Sequence, residues 1–248
     1  MGACASWPPT RGDTMKTGKK ILMVVGSPKG RESASHTMAD YVVRKLAKYS
    51  SITEILHVST PALPAETKER YHTLMDAADA VILFFPLYAD QLPSGLVKFL
   101  EDYSDHRNAF PPAQPQSLMA VVNSGFPEAH QNDQAVEVAQ FFAESVGFQW
   151  KGALTLGGGG MIPAKGVLEK GGGRVVPVVR ALSSLALCFS QDEVIPIPES
   201  VIEKVRKPAI PNWLYRFMAD WGFKAQAKEH GMGGRVKAQP YLMEGSMN

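Results

Sequence analysis

Cysteine is nearly missing from this chain, with only Cys4 and Cys188 among 248 residues. That usage excludes a disulfide framework and a Cys/His zinc spacing, and a reducing, cytoplasmic setting is expected. An excess of charge of one sign is also missing. There are 26 Lys and Arg against 24 Asp and Glu, a net charge of +2, and no run of five like charges, so the footprint of a nucleic-acid partner is lacking. Long hydrophobic runs are scarce. The longest, Val175 to Phe189, is broken by Pro177, Arg180, Ser183 and Ser184 and falls short of the roughly 20 apolar residues of a bilayer span, so no transmembrane segment is expected. Met1 to Lys20 mixes Trp7, Pro8, Pro9, Arg11 and Asp13 and has no continuous apolar stretch of the kind a secretory signal needs. The nucleotide fingerprints G-x-x-x-x-G-K-[ST] and G-x-G-x-x-G do not occur at the loops described below.

With 45% hydrophobic and 20% charged residues the chain can bury a full core. Residues 1–18 are expected to be a disordered leader, with either Met1 or Met15 as the natural start; 19–190 form one α/β domain and 191–248 a C-terminal helical extension. Short apolar runs at Ile21–Val25, Ile52–Val58, Ala80–Phe85, Leu118–Val122 and Ala153–Leu156 lack polar alternation. Such strands are buried on both faces, which in a β-α-β-α series gives a doubly wound parallel sheet. Helical spacing recurs at Met38, Tyr41, Val42 and Leu46, at Leu96, Val97, Leu100 and Tyr103, and at Val136, Ala139, Phe142 and Val146. Pro93-Ser94 is expected to open the second of these helices, and Asn132 or Asp133 to cap the third.

Ligands of such sheets bind beyond the carboxyl ends of the strands, so the loops after the strands carry the function. The first, GSPKGRESASHT from Gly26 to Thr37, runs from a strand into a helix start and gathers backbone N–H groups, the hydroxyls of Ser27, Ser33 and Ser35, and the charge of Lys29. That combination suits a phosphate monoester. The second, from Phe84 to Asp102, presents Pro86, Leu87, Tyr88 and Asp90 at a strand mouth, where an aromatic and apolar neighbours line a flat heterocycle. The third supplies Asn123 and Ser124 as polar groups, Gly125 for close backbone approach and Phe126 as a wall. The fourth, Gly157 to Pro163, reads either as a place where a bound group nears the backbone or as a mobile lid.

GSPKGRESAS, PLYADQLP and NSGFPE, in this order and strand context, resemble the cofactor-binding loops of the flavodoxin-like NAD(P)H-dependent FMN reductase family, over roughly Lys19 to Pro163. The resemblance implies a five-stranded sheet of order 2-1-3-4-5. It also implies an FMN phosphate at Ser27, Lys29, Ser33 and Ser35, and a flavin ring between Pro86, Leu87, Tyr88 and Asp90 and the Asn123, Ser124, Gly125 and Phe126 loop. The family often has Arg where this chain has Lys29, a point charge in place of a planar fork. The cysteine clusters of the iron–sulfur relatives are lacking, which excludes that subclass.

The implied activity is an oxidoreductase that accepts hydride from NADPH or NADH on FMN and passes electrons to a small acceptor, a quinone, nitro or azo compound or a free flavin. The cofactor carries that chemistry, so no catalytic side chain is assigned. The alternative is a flavodoxin-type electron carrier that binds FMN without nicotinamide turnover; its usual acidic docking face is not matched by a slightly basic chain. In the extension, Trp213, Phe217 and Trp221 recur every four residues beside Leu214 and Met218. That face is expected to pack on its own domain, with a homodimer contact or a membrane surface as the other readings. The resemblance implies oligomers, most simply a dimer.

Overall fold

The computed structural model describes residues 18–49, 51–112, 114–191, 197–207, 211–235 and 238; the expected leader lies outside them, apart from residue 18. Five strands, β1 (Lys20–Val25), β2 (Ile52–His57), β3 (Ala80–Pro86), β4 (Gln116–Asn123) and β5 (Phe148–Leu156), pair in parallel in the order β2-β1-β3-β4-β5. The order reverses between β1 and β3, and this switch point fixes where the loops open.

The absence of polar alternation has the expected consequence. Ile21, Met23, Val25, Ile82, Phe84, Met119 and Val121 face one core layer, while Leu22, Val24, Val81, Leu83, Phe85, Leu118 and Val122 face the other. Helices α1 (Ala34–Leu46) and α5 (Val176–Ser190) cover the first layer. Helices α2 (Ala65–Ala77), α3 (Ser94–Ala109) and α4 (Asp133–Ser145) cover the second. No apolar stripe announces α2, because only His72 and Met75 of its residues are buried.

Strand β5 is longer than its apolar run. Its first half pairs with β4 through a register shift at Leu118/Ala120, at the sheet edge, where Gln149 and Lys151 are tolerated. Asn132 occupies the N-cap position of α4, but its side chain makes no capping bond. It donates instead to the carbonyls of Ala129 and Leu156, tying the helix start to β5.

The run Leu168–Ser190, taken as one helix, has the length and mean hydropathy, 1.3, of a membrane span. It is kinked at Gly172 (φ 75°), and Ala181, Leu182, Leu185, Ala186 and Phe189 of α5 are buried in the first core layer with Met38, Tyr41 and Val42 of α1. The Tyr41 hydroxyl meets that of Ser183 at 2.7 Å.

Below the sheet, at the end away from the loops, the buried guanidinium of Arg107 lies between Asp76 (3.0 Å) and the side-chain carbonyl of Gln116. Gln116 in turn donates to the carbonyl of Met75 at 2.8 Å. Asp76 also accepts from Tyr103 (2.8 Å) and lies 2.7 Å from His106. A charge this deeply placed is tolerable only because every neighbour satisfies it.

Beyond the sheet, α6 (Glu199–Arg206) buries Val205 in the first layer and pairs Arg206 with Asp133 at 3.0 Å. Helix α7 (Asn212–Glu229) buries no residue. The expectation that its aromatic row packs on its own domain is not met: Trp213, Phe217 and Trp221 are 71%, 67% and 70% exposed. The side that approaches the domain is a different one, half-buried at Leu214, Tyr215 and Ala219.

Candidate functional site

Strand β1 continues into the first loop with the Gly26 N–H on the Phe84 carbonyl at 2.9 Å. The chain then turns, Gly30 N–H donating to the Ser27 carbonyl at 2.9 Å, with Gly30 itself at φ +53°, a region open to glycine. Ser33 is the N-cap of α1. Its hydroxyl donates to the Gly30 carbonyl (2.7 Å) and accepts from the His36 N–H (3.1 Å). The Ser35 hydroxyl donates to Asn123 Oδ1 at 3.1 Å. Both hydroxyl protons are thus engaged inside the protein in this arrangement. What α1 offers a ligand is the first-turn N–H groups of Ala34 and Ser35, left over by any helix start and backed by its dipole. The Ser27 hydroxyl only accepts, from Lys29 N–H at 3.4 Å, and keeps its proton. The Lys29 side chain is exposed.

The second loop is anchored to the third. Leu87 N–H donates to the Asn123 carbonyl at 2.8 Å, extending the Pro86/Asn123 pairing of β3 and β4. Tyr88 and Gln91 then exchange backbone hydrogen bonds of 2.9 and 3.0 Å around Ala89 and Asp90, both at positive φ (47° and 61°). Two non-glycine residues in the left-handed region make this a strained tip. It leaves the Tyr88 ring 44% exposed. Asp90 points to solvent and touches none of the other candidate residues by hydrogen bond or ion pair among the described residues.

The fourth loop is held down on the third. Gly158 N–H donates to the Phe126 carbonyl (2.6 Å) and Gly159 N–H to the Ser124 carbonyl (2.7 Å), so loop four is zipped onto loop three. The close approach that the glycines permit is the protein's own: a Cβ at Gly157 would stand 2.0 Å from the Pro127 carbonyl oxygen, and one at Gly159 would stand 2.7 Å from Asn123 Nδ2. Ser124 is buried in this zipper, its N–H on the Leu156 carbonyl at 3.0 Å. Gly125 and Phe126 are exposed, and nothing lies within 4 Å of a Cβ built on Gly125.

Asn123 is thus the meeting point, its side chain held by loop one and its backbone by loop two. Its Nδ2 lies beside Gly159 and donates to no described group.

Sequence reasoning missed one participant. Tyr215 of α7 donates its hydroxyl to the Gly125 carbonyl at 2.5 Å, and Asn212 Nδ2 donates to Glu128 Oε1 at 2.7 Å. Burial raises the Tyr215 pKa, with Glu128 adding to the effect, so the phenol stays a donor. The signal was present as the i, i+3, i+4, i+7 stripe Tyr215, Met218, Ala219, Gly222, hidden by the bulkier tryptophan row.

Beside the first loop, the rings of His36 and His57 lie 4.9 Å apart. Burial, then the proximity of His36 and Arg31, lowers the His57 pKa to about 4. The His36 value is lowered in the same direction by burial, against the opposing charge of Asp40.

A family model described as a flavodoxin-like fold matches residues 19–166. Comparison with curated proteins returned no match. Among solved structures, a Klebsiella pneumoniae protein assigned as a quinone reductase superposes with TM-score 0.52 at 14% identity, over 72% of this chain and 88% of that one. An FMN-dependent NADH-azoreductase from Bacillus anthracis, in complex with FMN, gives 0.49 at 10% identity over 70% and 100%. An NAD(P)H:quinone oxidoreductase from Methanothermobacter marburgensis gives 0.47 at 15% over 68% and 96%.

Proposed function

Because this chain belongs to the flavodoxin-like fold family, we propose that its loop cluster holds FMN and that the protein is an NAD(P)H-dependent oxidoreductase acting on a small electron acceptor. The observation that carries the reading is the convergence of three loops on Asn123. The donor set fits the group. The free N–H groups of Ala34 and Ser35, the Ser27 hydroxyl and Lys29 supply what a phosphate dianion requires. Leu87, exposed Tyr88 and exposed Phe126 offer apolar and aromatic surface to a flat ring, and the Gly125 backbone is open to it. Asn123 Nδ2 is an unspent donor for a polar ring edge.

Bound FMN supplies two-electron chemistry: NAD(P)H and a proton reduce a quinone to its hydroquinone, leaving NAD(P)+. The protein's share is placement. Asn123 fixes the distance between phosphate loop and ring loop. The zipped glycine loop keeps loop three rigid, and the amide donors stabilise negative charge on the reduced cofactor. The reading prefers NADPH on the resemblance alone. A homodimer is part of it, supported by the uncovered Trp213, Phe217 and Trp221 row. A reducing, cytoplasmic setting is supported by the near absence of cysteine.

The test is a flavin assay on the purified chain, with heat release and identification of FMN against FAD, followed by anaerobic titration with NADPH and with NADH. Bleaching by either nicotinamide is expected. Bound FMN that neither reduces indicates the carrier function instead, and a colourless protein that takes up no FMN ends the assignment.

A further inference from the structure

We infer that α7 forms one wall of the acceptor site, and that this site takes a flat aromatic acceptor bearing an anionic group, recognised by Arg174. The inference rests on the FMN reading above and names the substrate class of the same site. A groove of about 670 Å³ runs between α7 and the loop cluster. That volume is within the range of small-molecule sites.

One wall is Gly125, Gly160 and Met161; the other is the Tyr215, Met218, Gly222 and Phe223 side of α7. The groove therefore begins at Gly125, the residue whose open backbone faces the ring position, and the Tyr215 hydrogen bond to that carbonyl fixes the two walls together. Glycines on both sides leave a slot for a flat group, and two thioethers and a phenyl ring supply adaptable apolar surface. Arg174 is exposed on the groove and makes no hydrogen bond or ion pair with a described residue. A planar guanidinium without a counter-ion suits a carboxylate or sulfonate. Among the described residues, the only other charged group on the groove is Glu229, in the last turn of α7. A single cation opposed by one carboxylate matches a monoanionic acceptor better than the two phosphates of a nicotinamide dinucleotide.

The probes are 1,4-naphthoquinone-2-sulfonate and the uncharged 2-methyl-1,4-naphthoquinone. Binding to the purified protein is measured by calorimetry, and KM for each quinone and for NAD(P)H is measured in turnover. The sulfonate is expected to bind about tenfold more tightly than the neutral quinone, and Arg174→Gln to abolish that preference. Gly222→Phe places a ring in the groove, where a Cβ meets nothing within 4 Å, and is expected to weaken both quinones about tenfold or more. Equal affinity for the two probes overturns the inference. So does a preference that survives Arg174→Gln, or a Gly222→Phe effect on the KM for NAD(P)H in place of the quinones. Bleaching by nicotinamide without probe discrimination sinks the groove assignment and leaves the FMN reading standing; a protein that takes up no flavin overturns both.

Discussion

The Ser35 hydroxyl donates to Asn123 Oδ1 across 3.1 Å, joining the first turn of α1 to the last residue of β4, 88 positions apart in the chain. Both side chains are buried, so the bond is made away from competing water. Ser35→Ala is expected to cost about 1 kcal/mol of stability and to lower FMN retention, because loop one loses its tether to loop three. In a double-mutant cycle with Asn123→Ala, denaturation should return a coupling of about 1 kcal/mol; additive losses would dissolve the link between these loops.

Gly157 sits where loops three and four touch. Its Cβ would lie 2.0 Å from the Pro127 carbonyl oxygen, a backbone atom that cannot swing aside. Gly157→Ala is therefore expected to destabilise the fold by about 1–3 kcal/mol and to weaken flavin binding by splaying the zipper. Gly125→Ala, with open space around it, should leave stability near the parent value. Equal melting temperatures for Gly157→Ala and the parent would contradict the contact.

The His36 and His57 pair carries a pH dependence of definite sign. His57 has a folded pKa of about 4 against an ordinary 6.5, so between these values the unfolded chain binds more protons, and stability is lost as the pH falls from 6.5 towards 4. His36 acts in the same direction. His57→Gln should give a shallower loss of melting temperature between about pH 7 and pH 4.5 than the parent shows. Parallel curves would mean that burial does not disfavour the imidazolium there.

Arg107 depends on Asp76 for its countercharge. Asp76→Ala leaves a buried guanidinium facing only carbonyls, and a loss of about 3 kcal/mol in urea denaturation is expected. The double variant Asp76→Ala, Arg107→Met should recover much of it. Failure to recover would assign the loss to the broken Tyr103 and His106 bonds instead.

The sheet was readable because β1, β3 and β4 are apolar on both faces, which only a doubly covered parallel sheet explains. The first half of β5 was hidden, since an edge strand accepts Gln149 and Lys151. Helix α2 was hidden because a stripe made of His72 and Met75 does not stand out. At the site, residue types told where the loops would meet but not how the hydroxyls are spent. Ser33 and Ser35 look identical in sequence, yet one caps a helix and the other reaches across to β4. The glycine run Gly157–Gly160 announced a close approach without naming the partner, which proved to be loop three. Tyr215 was overlooked because hydrophobicity draws attention to Trp213, Phe217 and Trp221, whereas the contact is made by a single phenol.

Helix α7 lies wholly outside the matched 19–166 segment and buries none of its residues, yet it stands over Gly125. Substitutions along it disturb no packed layer, so this flank of the cleft can drift in sequence while the sheet stays the same. A lineage could thereby trade one preferred oxidant for another by editing eighteen residues, leaving the machinery beneath untouched.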